Sequence, residues 1–83
     1  MLFAKVTNPN AGYDRDKELV KNLNHDVYYE VDRIAMGQSH TSVKLKDFPD
    51  WLNSVNLSFY KNYGDDEYTY HSIFGDPTYN PYL

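Results

Sequence analysis

The side chains able to do chemistry are few and scattered. Three histidines stand at His25, His40 and His71, with no cysteine anywhere in the chain. A zinc site needs several His, Cys or carboxylate ligands brought together, and this spacing offers no ligand pair. Ser39, His40 and Asp47 supply a nucleophile, a base and an acid on paper. Adjacent residues of a strand point to opposite sides, however, so His40 is not expected to reach Ser39. The glycines at 12, 37, 64 and 75 do not gather into a phosphate-cradling loop. Asp65-Asp66-Glu67 concentrates carboxylates without the alternating ligand spacing of a calcium loop, and reads as a solvated turn. Asn53 and Ser54 could grip a ligand, but such a pair more often bonds local backbone where a strand meets a turn. Asp14 or Asp16 can cap a helix, and Asp14 reads as such a cap rather than an acid catalyst. Neither an enzyme nor a cofactor or metal is expected.

What remains is binding, and the charge distribution points to a place for it. The 83 residues carry eight Lys and Arg against twelve Asp and Glu, a net charge of -4. Every base lies between Lys5 and Lys61, matched there by eight acids, so residues 1–61 are neutral. The deficit comes from Asp65, Asp66, Glu67 and Asp76, in residues 62–83 that contain no base. Six of the nine tyrosines fall in residues 60–83, among those acids. Tyrosine combines a large apolar face with a polar tip at small entropic cost, which suits it to binding surfaces. An acidic field beside it favours a basic partner and repels nucleic acid. Tyr63, Asp65, Asp66, Glu67, Tyr68, Tyr70, Asp76 and Tyr79 are therefore the expected partner-binding set. The competing reading is that Tyr68, Tyr70, Ile73 and Phe74 only complete a small core.

The elements that must position these residues follow from periodicity and turn chemistry. Leu2 to Thr7 reads as a strand ended by the turn cluster Asn8-Pro9-Asn10-Ala11-Gly12. Asp14 to Leu23 predicts a short helix, with acids in its first turn and Leu19, Val20 and Leu23 on one face. A helix that short cannot stand alone and needs a sheet to lie on. Val27 to Met36 is rich in β-formers, but its apolar phase slips after Val31, so a bulge near Asp32-Arg33 is expected. Gly37 to His40 makes a turn. Thr41, Val43 and Leu45 alternate with polar residues, as do Val55, Leu57 and Phe59 after an interruption at residues 47–51. Residues 67–74 are expected to form a last strand. The predicted fold is α+β and mainly β: a single domain of residues 1–83. It is a small bent antiparallel sheet or SH3-like barrel of four to five strands, with one short helix after the first strand. A charge-neutral body (1–61) precedes an acidic Tyr-rich segment (62–83).

Residues 28–59 also carry a familiar pattern. Tyr29-x-Val31-x-x-Ile34-x-x-Gly37-x-Ser39-x-Thr41-x-Val43-x-Leu45, then Pro49, then Leu52-Asn53-Ser54-Val55-x-Leu57, resembles small proteins of Gram-positive bacteriophages. With Gly12-Tyr13-Asp14 and Lys17-Glu18-Leu19 in the corresponding earlier segment, the likeness covers about residues 3–60. Leu52 stands where Phe is expected, and the segment after Tyr60 has no counterpart. The resemblance implies a phage or prophage origin and brings no catalytic residue.

Two functional classes emerge. The first is a phage-encoded binding protein that inhibits or redirects a bacterial host protein with a basic surface. Nucleic-acid-dependent defence nucleases (an anti-CRISPR-like role) and replication factors are possible targets. The alternative is a small-ligand module that stacks and sequesters a nucleotide signal, although only Arg15 and Arg33 could grip phosphate bidentately. The N-terminal residues lack the basic and apolar regions of a signal peptide, and no apolar run is long enough to span a bilayer. Action in the bacterial cytoplasm, without membrane or direct nucleic-acid contact, is the expectation. Asn56-Leu57-Ser58 matches the glycosylation pattern by chance.

Overall fold

The computed structural model of the chain describes residues 1–64 and 66–83. Six strands form one sheet: β1 (Leu2–Val6), β2 (Tyr29–Met36), β3 (Thr41–Leu45), β4 (Trp51–Asn53), β5 (Leu57–Lys61) and β6 (Thr69–Tyr70). The strand order is β4-β3-β2-β1-β5-β6, and every neighbouring pair is antiparallel. Among the described residues the one α-helix, α1 (Asp14–Val20), comes after β1 as expected.

The sheet is open, which corrects the barrel reading and its count of four to five strands. Closure would require β4 to meet β6. Those edges are three and two residues long, too short to carry a closing ladder. The pairing of β1 with β2 is also brief, confined to Phe3↔Glu30 and Ala4↔Tyr29. The sheet therefore behaves as two ladders joined at one narrow seam, with β1 and β5 on one side and β2 to β4 on the other.

Alternation along the strands sorts the side chains onto two faces. Leu2, Ala4 and Val6 of β1, Val43 and Leu45 of β3, Leu52 of β4, and Leu57 and Phe59 of β5 are all buried on the inner face. The expected bulge is present. Val31 pairs with Leu45 and Arg33 with Lys44, so Asp32 is the extra residue. It returns Ile34 to the inner face opposite Val43. Val20 of α1 and Ile73 of a 3₁₀ turn (Ile73–Gly75) are both fully buried and close the core from outside the sheet.

Two expected strands are shorter than their alternation suggests. Val55 does not belong to β5, because Ser54–Asn56 forms a 3₁₀ turn before Leu57. β4 starts at Trp51, the last residue of the expected interruption, and continues through Leu52 and Asn53. The last strand is only Thr69–Tyr70 rather than residues 67–74, since the chain turns at Ile73 to fill the core.

Polar side chains hold the loop after β1. Asn56 is fully buried, and its Nδ2 donates to the carbonyls of Asn8 at 3.0 Å and Ala11 at 2.9 Å. Its own backbone carbonyl accepts from the amides of Thr7 and Asn8. This burial leaves the matched glycosylation pattern without an accessible acceptor.

The helix start is also pinned. Tyr13, not Asp14, is the residue before the first helical turn, and its amide donates to Asp16 Oδ2 at 2.9 Å. Asp14 is instead the first helical residue, which corrects its reading as the cap. The same Asp16 oxygen accepts from Asn53 Nδ2 at 3.1 Å, which ties α1 to β4. Helical geometry ends at Val20 rather than continuing to Leu23. Beyond it, His25 Nε2 lies 2.9 Å from the Val20 carbonyl and so donates to it.

Gly12 makes this junction possible. Its φ of +82° is left-handed, and a Cβ there would lie 2.7 Å from Asp16 Oδ2. Gly12→Ala is expected to cost about 1–3 kcal/mol in urea unfolding, through backbone strain and displacement of the Asp16 carboxylate. Gly75→Ala, where a Cβ meets nothing within 4 Å, serves as the control. It should stay within about 0.5 kcal/mol of the parent.

Candidate partner-binding surface

The outer face of β1, β5 and β6 arises from the same alternation that builds the core. Because Leu2, Ala4 and Phe59 point inward, Phe3 and Tyr60 point outward, and they sit directly opposite one another. Tyr60 is in turn opposite Tyr70. Tyr28, just before β2, joins them.

These rings form a connected cluster. Tyr28 and Tyr68 stack at 3.9 Å with planes 4° apart. Tyr28 and Tyr60 meet edge-to-face at 5.0 Å, and Phe3 and Tyr68 do so at 5.2 Å. Tyr60 and Tyr70 are edge-to-face at 6.1 Å. Lys5 Nζ sits 5.0 Å from the Tyr28 ring centre, a cation–π contact. Each ring pair adds about 0.5–1.5 kcal/mol beyond its buried area, so the cluster is a held surface rather than a set of loose side chains.

The connection from β5 to β6 lies beside this cluster and is fixed at its base. The N-terminal amine donates to the Asn62 carbonyl at 3.0 Å, while the Asn62 amide donates to the Met1 carbonyl at 3.2 Å. Gly64, with φ +103°, donates its amide to Asn62 Oδ1 at 2.8 Å. Tyr63 is 82% exposed and Tyr70 68% exposed, while Asp66 and Glu67 are also exposed. Asp65 lies outside the described residues.

The expected site residues thus divide into two groups. Tyr68 and Tyr70 belong to the outer-face ring cluster, and Tyr63, Asp66 and Glu67 are exposed in the β5–β6 connection. Asp76 and Tyr79 are used internally. Tyr79 packs against the core, and its hydroxyl accepts from Lys61 Nζ at 3.0 Å. That hydrogen bond holds the Lys61 ammonium above its ordinary pKa. Asp76 accepts from the Thr78 amide at 2.9 Å and from His71 Nε2 at 2.8 Å. A carboxylate oxygen can only accept here, so Nε2 carries the proton. Of the residues read as possible core, Ile73 is buried, whereas Phe74 is 51% exposed.

Sequence reasoning passes over Phe3, Tyr28 and Tyr60. A signal for Phe3 and Tyr60 is present, since each alternates with an inward neighbour in a clear strand. Tyr28 has a weaker one, since the strand expected from Val27 sets it on the face opposite Tyr29 and Val31, although the observed strand starts only at Tyr29.

The hydrolase reading needs one correction. Ser39 Oγ and His40 Nδ1 do meet, at 3.3 Å, because both lie in the β2–β3 turn rather than on a strand. Among the described residues no carboxylate partners His40. Asn53 behaves as expected, its Oδ1 accepting from the Val55 amide at 3.2 Å. Among the described residues no group of three or more His, Asp or Glu side chains could hold a metal, and no helix is long and apolar enough to cross a membrane.

Asp76 gives the site region a pH signature. The Thr78 amide, and then His71, hold its carboxyl below the ordinary value of 3.8. A lowered folded-state pKa means the stabilisation is complete above that ordinary value and is lost as pH falls through the lowered one. Asp76→Asn is therefore expected to lower the melting temperature near neutral pH. The gap from the parent should narrow as the medium is acidified below the ordinary carboxylate range, as thermal melts across pH would show.

No curated protein and no solved structure gives a match to the chain. The family described as Bacteriophage T4 protein Y07B matches residues 1–83. T4 infects Gram-negative E. coli, so the resemblance read over residues 3–60 holds for bacteriophages and not for Gram-positive hosts. The chain belongs to the bacteriophage T4 protein Y07B family.

Proposed function

We propose that the chain is a non-catalytic phage protein that attaches to a bacterial host protein and inhibits or redirects it inside the infected cell. The observation that carries this reading is the juxtaposition at the β5–β6 end. Tyr63 and Tyr70 are largely exposed, Tyr70 is braced by the ring cluster, and Asp66 and Glu67 stand in the same connection.

Rings already held in place lose little freedom on docking, so less of the contact energy is spent on ordering them. The carboxylates steer the surface toward a basic partner and raise its association rate at low salt. A host enzyme that handles nucleic acid has a basic groove of matching chemistry, so a defence nuclease or a replication factor is the favoured target class.

The test is capture from E. coli lysate on immobilised protein, repeated with Tyr63→Ala/Tyr70→Ala and with Asp66→Lys. One host protein should be retained by the parent chain and lost by the double variant. The Asp66→Lys variant should bind it with a slower association rate whose salt dependence is weaker. Retention that is unchanged in both variants would contradict this surface as the docking site.

A further inference from the structure

A second part of the molecule has a different chemistry. A groove of about 1300 Å³ lies between the start of α1, the β2–β3 turn, β4 and the C-terminal segment. Tyr13, Phe74 and Tyr82 enter it from three separate stretches of chain, and they are 82%, 51% and 59% exposed. Rings on the outer face lie against one another, but none of these three has a ring partner among the described residues.

The charges of the groove are asymmetric in their availability. Arg15 lines it, is exposed, and has no carboxylate within 4.0 Å among the described residues. Asp16 also borders it, but is buried, with Oδ2 taken up by the Tyr13 amide and Asn53 Nδ2. Asp66, Glu67 and Asp76, which hold most of the acidic excess, do not line it. His40 contributes an imidazole from the β2–β3 turn.

We infer that this groove binds a nucleotide, with Tyr13, Phe74 and Tyr82 offering faces to the base and Arg15 taking the phosphate. A ligand with one planar π-face and one anionic end satisfies both kinds of unused group, since a guanidinium pairs bidentately with phosphate and aromatic rings stack on any base. The wall that carries two of the rings is pre-set. Asn80 Nδ2 donates to the Phe74 carbonyl at 2.8 Å, and the Tyr82 amide donates to Asn80 Oδ1 at 2.9 Å. This site is separate from the outer-face docking surface, so either can fail without the other.

The experiment is calorimetric titration of the full chain with the common ribonucleoside triphosphates, with adenosine and inorganic tripolyphosphate as separate arms. Saturable binding of at least one nucleotide is expected, tighter than either arm alone. Arg15→Gln and Tyr82→Ala should each weaken it by about tenfold, while Tyr70→Ala leaves it unchanged. Both weakening substitutions are at exposed positions, and circular dichroism confirms that the variants are folded. Three results would each overturn the inference: no saturable nucleotide binding, affinity unaltered in both groove variants, or tripolyphosphate binding as tightly as the nucleotides.

Discussion

A six-stranded sheet has two faces, and this chain has little with which to cover them. Among the described residues the one α-helix is seven residues long, and the main other cover is the segment after β6. Both are devoted to the inner face, where Val20 and Ile73 are fully buried among the side chains of β1, β3, β4 and β5. The outer face is left to solvent. That allocation sets the chemistry of each face. Side chains on the outer one must tolerate water yet still support the ladders, and tyrosine does both by stacking its ring while its hydroxyl remains solvated.

The inner cover depends on a few polar anchors rather than on helix propensity. A seven-residue helix is marginal by itself. Here Asp16 joins the Tyr13 amide to Asn53, and Asn56 binds the carbonyls of Asn8 and Ala11. These bonds link the β1–α1 loop and the helix start to β4 and the turn before β5. Asn56 Oδ1, on the same buried side chain, has no protein hydrogen-bond partner among the described residues. At the other end, His71, Asp76, Lys61 and Tyr79 perform the same service for the C-terminal segment. The fold is thus closed by side-chain bonds at both covers, with a small apolar core between them.

The sequence is legible where a local pattern has one physical reading. Strict alternation locates β3, an imperfect alternation ended by the Asn8–Gly12 turn cluster locates β1, and the phase slip after Val31 locates the bulge, because a two-residue period cannot change face without an inserted residue. The helix is visible from its acidic first turn and apolar stripe. Less is legible where the outcome depends on distant partners. β4 is three residues flanked by a turn, and only its pairing with β3 makes it a strand. Barrel and open sheet share the same alternation; the short edges that separate them are set by where Ser54 and Ile73 leave extended geometry. Asp76 and Tyr79 look like their neighbours by composition, but Thr78, His71 and Lys61 draw them inward. The Ser39–His40 contact escapes strand logic because both residues lie in a turn.

The outer face is the docking surface proposed above, and the inner face with its anchors holds it in shape. The most direct measurement is NMR of the isotope-labelled protein, with and without the host protein it captures. Resonances of Tyr28, Tyr60, Tyr63, Tyr68 and Tyr70 should shift or broaden on binding, while those of Ile73 and Val20 keep their positions. Perturbations confined to the β2–β3 turn and the C-terminal residues, with the outer-face tyrosines unmoved, would contradict it.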